Sequence, residues 1–120
     1  MHNLYTQYAD MVEALLKPGA AIRDSLTPEE ANLWHLATGV VGEAGELIDA
    51  VKKHVVYRKP LDMDNMIEEL GDLEFYMEGL RQAIGVTREK CLEANVEKLA
   101  VRYSGLTYSD KSAQDRADKA

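Results

Sequence analysis

The chain carries no proline between Pro28 and Pro60, and Leu33, Leu36, Val40, Leu47, Val51 and Val55 recur there at separations of three, four and seven. That pattern predicts one helix from "TPEE" to about Val56. Thr27 is placed to cap it, Pro28 suits the first helical position, and Glu30 completes a capping box. Gly39, Gly42 and Gly45 stand inside this helix. Each lowers helix propensity by about 1 kcal/mol. Three in one helix call for a reason, and close approach of another backbone or of a ligand is the usual one. The segment "GEAGELIDA", Gly42 to Ala50, also sets Glu43 and Glu46 three apart.

Three further helices are predicted around this one. Leu4, Tyr8, Val12 and Leu15 define a first, which "KPG" at Lys17 to Gly19 stops, and Ile22 and Leu26 are packing points in the link that follows. After "RKPLDMD", Asp62 or Asp64 caps a helix over Met63 to Ile84, with Met66, Leu70, Leu73, Met77, Leu80 and Ile84 on one stripe and Gly85 as its stop. Thr87 caps the last, with Cys91, Leu92, Val96 and Leu99 inward and an end near Tyr103 to Gly105. The reading is an all-α protein, an antiparallel four-helix-type bundle over residues 1–106. A polar tail, 107–120, is expected to be mobile or to dock through a few residues only.

Charge narrows the function classes. The net charge of −7 argues against nucleic acid or an anionic membrane as the main partner, because both require a basic patch. No uncharged run approaches the ~20 residues needed to cross a bilayer, and "MHNLYTQYAD" has no signal-peptide character. Cys91 is the one cysteine and has no metal-binding company, as expected of a reduced thiol in a cytoplasmic protein.

The acidic residues are arranged. "EELGDLEFY" repeats the earlier device, with Glu69 and Asp72 three apart beside a glycine. Residues at that spacing share a helix face. Glu69 and Asp72 flank the apolar stripe of their helix, whereas Glu68 lies about 100° away. Two helices joined by a short connector pack antiparallel, so the two pairs can meet across the bundle. Four carboxylates in a partly dry place repel unless cations stand between them. A di-iron bundle would need Glu-x-x-His, and neither His35 nor His54 stands at such a position. All-oxygen ligation favours Mg²⁺, with Mn²⁺ possible, over iron or zinc. The bland alternative is a solvated acidic face, which a single ExxE or ExxD on an acidic helix usually is.

The runs "GEAGELIDAVKK", "IEELGDLEFY" and "NVEKLAVRY" resemble the MazG-like all-α nucleoside triphosphate pyrophosphohydrolases, and most of all their short single-domain members in phages and bacteria. That family's pattern is ExxE, a gap, ExxD, then a helix bearing Asn, Lys and Arg. It falls here on Glu43, Glu46, Glu69 and Asp72, followed by Asn95, Lys98 and Arg102, and the match runs from about Leu33 to Arg102. The resemblance implies hydrolysis between the α- and β-phosphates to a nucleoside monophosphate and pyrophosphate. It also implies Mg²⁺ held by the quartet and a homodimer or homotetramer with active sites near the subunit contacts. Members of this kind often follow "RY" with Gly-Phe-Ser, whereas this chain has "SGLTYS", so no role carries over to the tail.

Physical reasoning assigns parts within that frame. Glu46 is the candidate general base. Asn95, Lys98 and Arg102 fall on one helical face, where they can hold phosphate oxygens; the competing reading is a surface face paired with Glu93 or Glu97. Lys53 follows Glu46 on the same face and is a candidate phosphate contact. Trp34 and His35 are candidates for base and sugar contacts, or for core and interface packing. Two other functions remain open: a non-catalytic acidic helical oligomer binding metal or a protein partner, and a phosphoribosyl-ATP-type pyrophosphohydrolase.

Overall fold

The computed structural model describes residues 3–119, and every regular element among them is helical. The helices are α1 (Leu4–Leu15), α2 (Gly19–Ser25), α3 (Pro28–Val55), α4 (Met63–Ile84), α5 (Arg88–Arg102) and α6 (Asp110–Asp115), with single tight turns at Ser104–Leu106 and Ala117–Lys119. No helix among the described residues is long and apolar enough to cross a membrane. The chain divides into two compact units between Asn32 and Leu33, inside α3.

In the first unit, Asn3 caps α1 by accepting from the Thr6 N–H at 2.9 Å. Val12 is half-buried, and the rest of α1 is exposed, including Leu4, Tyr8 and Leu15. The link after "KPG" is itself the short helix α2, which begins after Pro18; Ile22 is half-buried in it, while Leu26 is exposed.

Local chemistry sets the helix ends of the second unit and the start of α3. The Thr27 N–H donates to Glu30 Oε1 and the Glu30 N–H donates to Thr27 Oγ1, each at 3.1 Å. These bonds, the backbone one first, hold the Glu30 carboxyl below its ordinary range. Asp62 accepts from the Asn65 N–H and opens α4. Gly85, at φ +73°, closes α4 in the left-handed conformation, its N–H reaching back to the Arg81 and Gln82 carbonyls. Thr87 caps α5 through the Lys90 N–H.

Steric notches fix how α3 meets α4. A Cβ at Gly39 would stand 2.3 Å from the Tyr76 ring, and one at Gly79 would stand 2.9 Å from a Leu36 methyl. Moving three residues up α3, from Leu36 to Gly39, moves three down α4, from Gly79 to Tyr76, so the pair is antiparallel in that register. The half-buried residues follow it: Leu36, Val40, Glu43 and Leu47 on α3, and Met66, Glu69, Leu73, Tyr76 and Leu80 on α4. Ala50 and Arg81 are the only buried residues among those described.

Each helix carries a second apolar row, about 100° round from the first. On α3 it is Trp34, Ala37, Val41, Ala44, Ile48, Val51 and Val55; on α4 it is Met63, Ile67, Leu70, Met77 and Ile84, interrupted by Glu74 and Arg81. Trp34, Val41 and Ile48 are 68%, 72% and 71% exposed. Because the helices run in opposite directions, both rows turn to the same side of the pair. The expectation that Cys91, Leu92 and Val96 point inward is not met: all three are exposed, and only Leu99 of that set is half-buried. The element packed against α5 is the C-terminal segment, and it covers Leu99, Arg102 and Tyr103 rather than the earlier turns.

Candidate metal centre

Continuing the α3–α4 register past Gly39 and Tyr76 brings Glu43 opposite Asp72 and Glu46 opposite Glu69. Both pairs sit within helices and not on the connector that joins them. Glu43, Glu69 and Asp72 each offer a carboxylate oxygen, and the three oxygens lie within 4.8 Å of one another. Glu43 and Glu69 are half-buried between the helices, whereas Glu46 and Asp72 are exposed at the mouth. Glu46 lies outside the three converging oxygens, yet its charge is felt at Glu69. This mouth faces away from the apolar rows.

Glu69 is the centre of the group. Its carboxyl is held above the ordinary value of 4.5, first by burial, then by a hydrogen bond to Glu43, then by the charges of Glu46, Glu43 and Asp72. Its Oε2 is buried and no donor reaches it. Ionised, that oxygen has only carboxylates for company, and a buried charge without a partner is costly. A divalent cation among these oxygens satisfies all three at once, and the donor set is oxygen alone, as hard cations require. The residues therefore fit a metal ion of that class.

Lys53 reaches Asp49, one turn behind it, at 3.1 Å. His35 stands edge-on to Tyr76 with ring centroids 6.2 Å apart. Trp34 lies half a turn round α3 from Glu43, beside Ala37, Thr38 and Val41, so the structure does not bring it to the acidic group. Asn95 and Lys98 are exposed on α5. Arg102 is engaged by the tail: its Nε donates to Asp118 Oδ1 at 2.7 Å and its Nη2 to Oδ2 at 3.1 Å. The tail thus docks through a partly buried ion pair.

Three features went unread in the sequence. Tyr76 fills the space left by Gly39, and a bulky residue set opposite a helical glycine in an antiparallel register is the signal for it. Arg81, 8% exposed, is held by Glu74 and Glu78 on its own helix, and their seven- and three-residue spacing could have been noticed. Asp118 had no local signal at all.

Residues 32–106 match the MazG nucleotide pyrophosphohydrolase domain. The chain is also 30% identical over 94 residues to the Gene 37 protein of Mycobacterium phage L5, an alignment covering 75% of this chain and 79% of the phage protein. No solved structure matches it. With the paired carboxylates meeting across two helices inside the matched region, the chain belongs to the MazG nucleotide pyrophosphohydrolase family.

Proposed function

We propose that this chain is a Mg²⁺-dependent nucleoside triphosphate pyrophosphohydrolase, splitting its substrate between the α- and β-phosphates into a nucleoside monophosphate and pyrophosphate. Its task is the removal of surplus or non-canonical nucleotides in the cytoplasm. The observation that carries this reading is the Glu69 carboxyl, half-buried among acidic neighbours with one buried oxygen that no donor reaches.

Glu43, Glu69 and Asp72 would hold the cation, with Glu46 at the edge of the group. Bound there, Mg²⁺ supplies charge neutralisation and Lewis acidity at the phosphates. Glu69 would serve in that set as the carboxylate. Glu46, exposed and outside the converging oxygens, would take the proton of the attacking water. Gly42, one turn before Glu46 on the open side, has nothing within 4 Å of where a side chain would begin, which leaves room beside the carboxylate. Asn95, Lys98 and Arg102 share one face of α5, where Lys98 offers a point charge and Arg102 a planar fork for phosphate oxygens.

The working form is a homo-oligomer. The two apolar rows lie on one side of the α3–α4 pair, opposite the acidic mouth. A second copy placed about a two-fold axis presents the same surface to itself, and covering Trp34, Val41, Ile48, Ile67 and Leu70 removes large apolar groups from water.

The decisive experiment follows pyrophosphate and orthophosphate release from a panel of nucleoside triphosphates with Mg²⁺, for wild type and Glu69→Gln. Pyrophosphate release by the wild type and its loss in a variant of unchanged helicity is the expected result. A scaffold with a merely solvated acidic face would release nothing, and divalent ions would move its melting temperature only as screening salt does.

A further inference from the structure

The C-terminal segment turns back onto α5 by a defined route. Gly105 at φ +79° and Leu106 at φ +55° reverse the chain after Tyr103, Ser109 caps α6 through the Ser112 N–H, and Arg116 at φ +47° ends it. This brings Asp118 to Arg102, sixteen residues earlier. The Asp118 side chain is 4% exposed and that of Arg102 is 17%. The segment is largely polar, with Ser112, Ala113 and Asp118 half-buried, and it meets the end of α5 through this ion pair and through Tyr108, whose ring centroid lies 5.9 Å from that of Tyr103.

We infer that Asp118 is a positioning residue for phosphate recognition, gripping the Arg102 guanidinium by one edge so that its other edge is presented to the substrate. This rests on the assignment of Asn95, Lys98 and Arg102 to the triphosphate. The carboxylate takes the Nε and Nη2 edge side-on. A guanidinium has five N–H donors, and after the Asp118 contact and a hydrogen bond with the neighbouring Tyr103 some of them remain. They form a second edge suited to two phosphate oxygens.

Burial argues for a fixed grip over a release device. Drawing Asp118 out to make way for an anion would strand the charge of Arg102 in a largely covered place, and breaking such a pair from one side is strongly unfavourable. A long side chain at a helix end samples many rotamers, and fixing it beforehand removes that ordering cost from substrate binding. The tail therefore belongs to the anion site.

The test compares wild type with Asp118→Asn, Asp118→Glu and Arg102→Lys, using Asp115→Asn as control because Asp115 pairs with the exposed Lys111. Mg²⁺-pyrophosphate is titrated by calorimetry, and KM, kcat and melting temperature are measured for the preferred nucleotide. Asp118→Asn should weaken pyrophosphate binding and raise KM by about tenfold, the size expected when a charged hydrogen-bond partner is lost, with kcat within about twofold. Asp118→Glu should recover most of the affinity, and Arg102→Lys, which keeps the charge and loses the planar fork, should resemble Asp118→Asn even if the latter folds poorly. A lowered melting temperature with unchanged affinity and KM would reduce Asp118 to a structural clamp and overturn the inference. Tighter pyrophosphate binding by Asp118→Asn would also overturn it, because the carboxylate would then be a competitor. In both cases the hydrolase reading stands. If wild type neither binds pyrophosphate nor releases it from any nucleotide, both fall.

Discussion

Glu69 meets Glu43 across the α3–α4 pair, its carboxyl held above the ordinary 4.5 and one oxygen buried without a donor. Two acids in that relation are unfavourable in the metal-free protein, and the opposition between stability and ligation can be measured. Glu69→Gln should raise the melting temperature in EDTA, since the amide carries no charge into the group and can donate to Glu43. The same change should abolish the rise in melting temperature on adding Mg²⁺ and lower kcat by at least ~100-fold. A variant that keeps both the metal response and turnover would remove Glu69 from the site.

The pH dependence of the metal-free protein follows from the same residue. A carboxyl whose folded pKa is raised binds more protons in the folded than in the unfolded state between the two values. Its contribution to stability therefore falls as pH rises from about 4.5 through the folded value, and levels off above it. Urea midpoints measured in EDTA across that window should decline for wild type, and this component should vanish in Glu69→Gln. Asp118 acts with the opposite sign: Arg102 lowers its pKa from 3.8, so its contribution is complete above that value and is lost as pH falls through the folded one.

Gly39 and Gly42 should respond to alanine in opposite directions. At Gly39 the new methyl meets the Tyr76 ring at 2.3 Å, and overpacking of this kind costs about 1–3 kcal/mol. Pushing α4 away also spreads the acidic group, so metal affinity should drop with stability. At Gly42 nothing stands within 4 Å, and alanine should stabilise the helix by about 1 kcal/mol. If substrate passes beside Glu46, that gain in melting temperature comes with a higher KM, and an unchanged KM would place the approach elsewhere.

Ile48 and Val41 test the proposed homo-oligomer. Both are more than two-thirds exposed on the apolar side of α3, far round the helix from Glu46. If the wild type assembles through this face, Val41→Glu with Ile48→Glu should yield monomers in light scattering while leaving the helical circular dichroism in place. Oligomers that persist would move the contact to another surface.

Much of the architecture was legible because it is written locally. Thr27 with Glu30, Asp62, Gly85 and Thr87 each fix a helix end through atoms three or four residues away, and short-range spacing reveals such contacts. The acidic group was legible for a related reason: a three-residue repeat on two helices joined by a short connector has one economical way to meet. Burial was less so. Apolar periodicity marks the rows of α3, α4 and α5 that avoid water, but it does not say which row meets a neighbour in the same chain. Cys91, Leu92 and Val96 share such a row and stand exposed. The three glycines of α3 looked equivalent in sequence, and only Gly39 receives a neighbour. The link at Ile22 folds as a helix, and the docking of the tail depends on Asp118 reaching an arginine sixteen positions away, which no periodicity encodes.

The notches at Gly39 and Gly79 have a consequence for how such a protein can change over time. They set the sliding position of one helix on the other by shape, independently of the segment that joins them. Residues 56–62 can therefore lengthen, shorten or be rewritten while the spacing between the carboxylates is preserved. A single-residue slip at either notch would instead swing a carboxylate by about 100° and dismantle the centre. Sequence drift should gather in the joint and be scarce at the two contacts of Tyr76 and Leu36.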